Sequence, residues 1–389
     1  MKTVIPLWDD PELETVFSPQ DYQLRRDLVN LSTREFRQAV RQIEGSQLIL
    51  WCYDSKALRN SALLQGLALF SAAKEKWLWD KEGRKQKITL TGWLREDCLR
   101  QGIAALLIPL WLLYFKLTLP LLEQALKGKK PVMGKTKTVG FLHTDHRFET
   151  GTGGPLERLS GLIRGFTENR YAIEVFSSHR PAGFPEDKFS FHLMRPDEGF
   201  ASFQEIPELI YNLKLDRQIG EILKTTPPDF LYQRYSLNNF SGLLLALQLK
   251  IPLVLEYPGS FTGKEKQPKG GLRYPGFSAK IEELNLRYAD LIVVVSPAMK
   301  DELTARGFDP EGILVNPDGA DPEQNGEIPQ AGKTSLLVEP GNIEQPAEKI
   351  VPAQNPQILE QPGHAAREKY TWRENAEKVL SALKEKFNQ

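Results

Sequence analysis

The chain has 389 residues, 41% of them apolar and 26% charged, the balance of an ordinary globular protein of two to three domains with room for a sizeable core. Fifty Lys and Arg offset fifty Asp and Glu, so no global basic field draws the chain onto nucleic acid. Cys52 and Cys98 lie far apart without CxxC or Cys/His spacing, which argues against a disulfide framework or a zinc site and fits a reducing compartment.

The opening MKTVIPLWDDPELE has too short an apolar run before its acidic residues for an export signal, so a cytoplasmic protein is expected. From Leu28 the pattern predicts a helix through STREFRQAVRQIEG, with Ser32 as its N-cap and Gly45 past its end. A strand at 48–52, a helix at 56–74 opened by Asp54 and Ser55, a strand at 76–79 and a basic turn at 80–87 follow. Residues 1–97 are thus expected to form a small αβαβ unit.

Residues 103–122, IAALLIPLWLLYFKLTLPLL, carry one charge in 20 residues, the length and polarity of a bilayer-spanning helix. Arg84, Lys85, Lys87, Arg95 and Arg100 precede this segment; Lys127, Lys129, Lys130, Lys135 and Lys137 follow it. The positive-inside rule then favours both ends on the cytoplasmic side. Pro109 and Pro120 are expected to break or kink a straight helix, which favours a re-entrant or interfacial anchor centred on Trp111, Leu112, Leu113 and Tyr114. A buried helical hairpin packed against the soluble domains is the alternative. Residues 98–137 therefore read as an apolar membrane-associating segment followed by a basic linker.

Beyond the linker, strands are expected at 138–143, 171–177, 252–257, 291–295 and 313–315, with another inside PPDFLYQRYS. Helices at 153–169, 210–223, 240–249, 277–289 and 297–306 alternate with them, and a weakly patterned insert holds 181–205. Repeated β-α-β spacing with Val/Ile/Leu strands predicts a Rossmann-type parallel sheet over 138–322.

Ligands gather at the carboxyl ends of such strands, so the loops leaving them hold the candidate site residues. Gly151, Gly153 and Gly154 precede a helix start, where free N–H groups and the helix dipole suit a diphosphate; a tight turn that needs glycine for backbone geometry is the plain alternative. His143, Asp145 and His146 leave the first strand as candidate base or acceptor contacts, though a histidine there also serves as a satisfied polar group. Tyr232, Arg234 and Tyr235 suit a sugar or phosphate, or simple aromatic packing. Glu256, with Tyr257 and Ser260 after it, is a carboxylate placed to orient a hydroxyl or to stabilise positive charge on a sugar ring, or marks where the sheet meets water. The loop bearing Lys264, Lys266 and Lys269 reads as a solvated face. Ser296, Asn316, Asp318 and Gly319 lie in Ser-Pro, Asn-Pro and Asp-Gly turns.

In series, GTGGPLERLSGLIRGF, YQRYSLNNFSGLLLALQLKIPLVLEYPGS, ADLIVVVSPAMKDELTARGFDPEGILVNPDGADPE, SLLVEPGN and YTWRENAEKVLSAL resemble family 4 of the glycosyltransferases, the retaining GT-B group. The resemblance implies two facing Rossmann domains, an N-terminal one for the acceptor and a C-terminal one for a nucleotide-sugar donor. Gly153 and Gly154 would touch the donor diphosphate, and Asn316 to Gly319 would line the interdomain cleft at the crossover. Glu256, His143 and Asp145 become the catalytic candidates; Arg234, Tyr235, Tyr257 and Ser260 become those for the acceptor.

The resemblance also has gaps. After Asp321 the chain passes through EQNGEIPQAGK to SLLVEPG, which matches a stretch near the end of the family's second domain. Most of the donor domain is therefore expected to be missing, with its Arg/Lys pair and its Glu-x7-Glu segment. The pairs Glu360/Glu368 and Glu377/Glu385 have that spacing, but the first spans Pro362 and Gly363 and the second lies on a terminal amphipathic helix. That helix, 373–386, resembles the family's last helix, which packs back onto the N-terminal domain; 323–389 is expected to be this remnant. Pro258 stands where relatives often carry Asn, and Arg158 where close relatives carry His.

The expectation is a glycosyltransferase on the cytoplasmic face of a membrane, using a nucleotide-sugar and a lipid-linked or polysaccharide acceptor. No tightly bound cofactor and no metal site are expected; a divalent cation would arrive with the nucleotide. A non-catalytic remnant that binds membrane or partner is the alternative, and an incomplete or internally deleted enzyme a third.

Overall fold

The computed structural model describes residues 2–7, 13–28, 33–52, 55, 61–145, 154–178, 189–196, 203, 205–261, 271–319 and 371–387. Two sheets organise them. The first is built on β1 (Lys2–Pro6), β2 (Tyr22–Leu24), β3 (Gln47–Cys52), β4 (Glu75–Asp80) and β5 (Lys85–Lys87), in the order β2-β1-β3-β4-β5. All its pairings are parallel except β4 with β5. Helices α1 (Leu13–Val16), α2 (Thr33–Arg41) and α3 (Ser61–Leu69) accompany it. β1 is therefore a strand of the sheet, so the unit begins one strand earlier than the αβαβ reading; a run too short for a leader is long enough for a buried strand. The basic turn contains the edge strand β5, whose three lysine and glutamine side chains are all exposed, as suits a protected edge.

A short helix α4 (Leu90–Gly92), capped by Thr89, and a π-helical stretch (Trp93–Cys98) lead into α5 (Leu99–Lys127). The expected break at Pro109 and Pro120 does not occur: α5 runs through both. One side of it is fixed to the core by Phe115, Leu119, Leu122 and Leu126, and this packing offsets the roughly 3 kcal/mol that an interior proline costs.

The second sheet contains β6 (Thr138–His143), β7 (Ala172–Ser177), β8 (Ser190–Leu193), β9 (Phe230–Arg234), β10 (Leu253–Glu256), β11 (Leu291–Val294) and β12 (Ile313–Val315). Its order is β12-β11-β10-β9-β6-β7-β8, parallel throughout. This is the Rossmann-type sheet the β-α-β spacing predicts, with one addition, β8, inside the weakly patterned insert. Its helices are α6 (Gly154–Glu168), α7 (Ile206–Leu223), α8 (Ser241–Leu249), α9 (Pro275–Tyr288), α10 (Pro297–Ala305) and, far along the chain, α11 (Trp372–Phe387).

Strand alternation sorts the core into two layers. Leu142, Leu231 and Leu253 point to the side covered by α5, α7, α8 and α9. Val139, Phe141, Phe230, Tyr232 and Val254 point to the side covered by α6 and α11. From β6 the chain winds outward through β7 and β8, then returns to place β9 on the other flank of β6. The junction of β6 and β9 is thus the topological switch point, where open parallel sheets bind ligands.

Candidate active site

Glu256 ends β10 and is paired in register with Arg234 at the end of β9. Side-by-side residues of a parallel pair point to the same face, so carboxylate and guanidinium meet: Arg234 Nη1 donates to Glu256 Oε1. Two residues earlier on β9, Tyr232 reaches the same carboxylate, its hydroxyl donating to Oε2 at 2.8 Å. From above this face, Arg158 on the second turn of α6 places its Nε 2.9 Å from Glu256 Oε1 and pairs through Nη1 with Asp318. Arg158 Nη2 also lies 3.5 Å from the Asn316 carbonyl oxygen.

Glu256 and Arg158 are almost fully buried, Arg234 partly so, and Asp318 is 64% exposed. Burial alone pushes the Glu256 carboxyl up, but Arg158, Arg234 and the Tyr232 hydroxyl outweigh it and hold it below the usual range. Burial likewise opposes the Arg158 charge, and Glu256, Tyr232 and Asp318 more than restore it. The Tyr232 phenol is driven well up by burial and by the adjacent carboxylate, so it stays a donor. The result is a fixed anion with two hydrogen-bond donors and the Arg158 charge about it, at the carboxyl edge of the sheet.

Two further clusters frame it. At the switch point the Asn239 side-chain amide donates to Thr144 Oγ1 at 3.0 Å, tying the exit of β6 to that of β9. At the crossover, Asn316 Nδ2 donates to the Asn375 carbonyl at 3.1 Å, and Asn375 Nδ2 donates to the Pro317 carbonyl at 2.7 Å. The segment after β12 is therefore held by α11.

The sequence candidates separate into groups. Glu256, Arg234 and Asp318 are brought together, and Arg158, singled out only as a departure from relatives, links them. His143 is buried at the end of β6, two strands from Glu256, or roughly 10 Å at ordinary strand spacing. The Asp145 carbonyl accepts from Ser178 Oγ at 2.6 Å. Tyr257 and Ser260 both donate to Glu282, at 3.0 and 2.9 Å, and Arg306 donates to the Tyr257 hydroxyl and to Glu282. These two acceptor candidates thus anchor α9 rather than facing Glu256. Tyr235 is buried beside Tyr257 and Phe261. Ser296 caps α10, accepting from Met299 N. Gly154 opens α6, which carries Arg158 one turn on. Gly153, Gly151, His146, the 264–269 lysines, SLLVEPGN and Glu360/Glu368 lie outside the described residues; Glu377 and Glu385 lie on α11. Among the described residues there is no His/Cys/Asp/Glu cluster able to hold a metal ion.

Of the four anchor residues, Leu113 and Tyr114 are exposed, whereas Trp111 and Leu112 are half-buried against the core. α5 is the one helix among the described residues long and apolar enough to cross a membrane.

The sequence profile of the family described as "Glycosyl transferase 4-like domain" matches residues 153–319. The chain contains a glycosyl transferase 4-like domain. It spans α6 to the crossover and holds Arg158, Arg234, Glu256 and Asp318. No curated protein matches the sequence. Among solved structures, the lipopolysaccharide outer core galactosyltransferase WaaB in its apo form is similar at 16% identity, over 51% of this chain and 50% of that one, with a TM-score of 0.33. Anabaena HepE in complex with UDP-glucose is 16% identical over 56% and 50%, TM-score 0.32. The Methanocaldococcus jannaschii UDP-GlcNAc 2-epimerase in complex with UDP-GlcNAc and UDP is 14% identical over 46% of each chain, TM-score 0.32. The chain thus spans about half the length of these structures.

Proposed function

We propose that the chain carries the acceptor-side half of a retaining glycosyltransferase that moves a sugar from a nucleotide-sugar donor to a lipid-linked or polysaccharide acceptor at the cytoplasmic face of a membrane. The observation that carries this reading is the position of the Glu256 cluster: inside the 4-like domain, at the carboxyl edge, beside the switch point. There Glu256 would orient an acceptor hydroxyl or stabilise positive charge developing on the sugar ring, and Arg234, the more exposed cation, would face the substrate. Gly154 and the start of α6 would approach the donor diphosphate.

Calorimetry of the purified chain with UDP-glucose and with UDP tests this. Saturable heat below millimolar concentration is expected, and no heat at millimolar ligand would sink the claim.

One observation favours a second reading, a binding module that does not transfer. Arg158 and Arg234 are matched by Glu256 and Asp318, so this cluster holds no surplus positive charge to neutralise a leaving diphosphate. Binding of the nucleotide without transfer to membrane lipid extracts or polysaccharide would favour it.

A further inference from the structure

α5 has two unlike sides along its whole length. Ala104, Phe115, Leu119, Leu122 and Leu126 are buried, at positions that fall on one stripe of the helix. The opposite side exposes Ile103, Leu106, Leu110, Leu113, Leu117 and Leu121, between 51% and 78% accessible each, within an arc of roughly 80° at 100° per residue that Leu107 and Tyr114 widen to about 120°. Leu90, Leu94 and Leu99 continue the exposed apolar series toward the first sheet. Between the first and last of the six, Lys116 is the one charged residue. A face of this width could seat a helix as well as a lipid surface, so the flanking charge decides between them.

The charges around it name the occupant. From Arg84 to Lys137 the chain carries eleven Lys and Arg against Glu96, Asp97 and Glu123, although Arg84, Lys87 and Lys129 are paired with Asp80, Glu75 and Asp290. Glu123 is itself paired with Lys280 at 2.8 Å. A basic rim on a broad apolar face is complementary to an anionic lipid surface.

The direction of α5 is fixed by its contacts. Lys129, just past its end, pairs at 2.6 Å with Asp290, which immediately precedes β11 at the amino edge of the sheet. Phe115 packs edge-on against Phe240, which opens α8 at the carboxyl edge, with ring centroids 6.3 Å apart. The helix therefore crosses the sheet between 115 and 129, and Leu99 to Tyr114, about 24 Å long at 1.5 Å per residue, runs on toward the carboxyl edge with Ile108, Trp111 and Leu112 still packed on the core.

We infer that α5 is a monotopic anchor: it lies in the plane of an anionic bilayer on its Ile103 to Leu121 face and does not cross it, because its opposite stripe is packed on the protein. The membrane then lies along the α5 side of the sheet, opposite the face that carries Tyr232 and Glu256, and extends past the carboxyl edge with the first turns of α5. On the glycosyltransferase reading, which this last step rests on, the acceptor is an amphiphile reached from the membrane plane. Anchoring itself is scored without any transfer assay, so the two readings can fail separately.

The test uses the full chain with vesicles of phosphatidylcholine, with and without phosphatidylglycerol. Co-sedimentation is expected with the anionic vesicles and weakens with salt. Leu106→Asp with Leu110→Asp lowers partitioning at least about tenfold while the thermal midpoint stays near that of the parent; Leu117→Asp alone provides a milder version. Dyes placed at Leu106→Cys and Leu121→Cys in a Cys98→Ser background are expected at equal depth by lipid-borne quenchers, although about 22 Å separates them along the helix. Unequal depths would mean a spanning helix. No vesicle binding by the parent chain, or unchanged binding by the variants, would overturn the inference, as would a dimer in solution that the same substitutions dissociate.

Discussion

Trp372 sits directly on the backbone of α6: a Cβ built on Gly161 would stand 2.1 Å from its indole Cε2, and one on Gly165 would stand 2.1 Å from its carbonyl oxygen. Gly319 meets the same indole from the crossover side, at 2.6 Å. Three glycines thus form the seat that joins α6, α11 and the segment after β12, although about 50 residues of sequence separate Gly319 from Trp372.

Gly161→Ala tests that seat. The neighbour is the rigid, buried indole of Trp372, which cannot yield as a flexible side chain does, so the added methyl must displace Trp372 or α11. Overpacking of this kind costs about 1–3 kcal/mol, read as a lower urea midpoint with unchanged slope. Faster amide exchange confined to α11 and the crossover would identify the seat as the site of damage. An unchanged midpoint would mean that α11 is not docked as described.

Glu256→Gln removes the anion from between two arginines while keeping shape and an acceptor for Tyr232. Arg158, almost fully buried, then loses its inner partner. Breaking a buried pair from one side costs about 3–5 kcal/mol, well above the effect of an exposed pair such as Arg287 with Glu283. If Glu256→Gln and Glu283→Gln shift the unfolding midpoint equally, the cluster is more hydrated than its burial indicates.

The same carboxylate sets an acid limit. Its folded pKa is lowered from 4.5, so it binds a proton less readily folded than unfolded. Its stabilising contribution is complete above the unfolded value and is lost as pH falls through the folded value, which confines the change to pH below about 4.5. The stability difference between parent and Glu256→Gln is expected to be constant from pH 6 to 8, and to shrink below about pH 4.5. A difference that shrinks instead toward alkaline pH would contradict the assignment.

Much of this was legible in the sequence because the strands of the second sheet are short apolar runs between turn residues, and 138–143, 291–295 and 313–315 sit within a residue of their observed places. β8 was not legible: SFHL is only four residues long and lies half-exposed on the sheet edge, too short a run for its alternation to stand out. Glu256 and Arg234 could be named from position alone, since both end strands. That Arg158 completes their cluster required the third dimension, although a cation one turn into a glycine-opened helix was the available signal. Tyr257 and Ser260 could not be placed for a related reason: residues just past a strand end can turn toward a neighbouring helix as readily as toward a ligand, and here Glu282 on α9 takes both hydroxyls.

Tyr257→Phe separates those two fates. The hydroxyl donates to Glu282 and accepts from Arg306 Nη1 at 3.2 Å, in a network that also holds Ser260. Burial first, and the Glu282 carboxylate second, push the Tyr257 phenol up, so it is a neutral donor at any working pH. Removing it leaves Glu282, itself buried, with Arg306 and Ser260 as its partners and costs about 1.5–3 kcal/mol, the range for hydrogen bonds to charged groups. If the residue serves only to hold α9, UDP affinity measured by calorimetry stays within about twofold while the unfolding midpoint falls. A large loss of affinity at unchanged stability would instead return Tyr257 to the substrate side. Arg306→Lys sharpens the distinction, because a single ammonium cannot span the Tyr257 hydroxyl and Glu282 as the two ends of the guanidinium do, so it is expected to reproduce part of the stability loss with no change in binding.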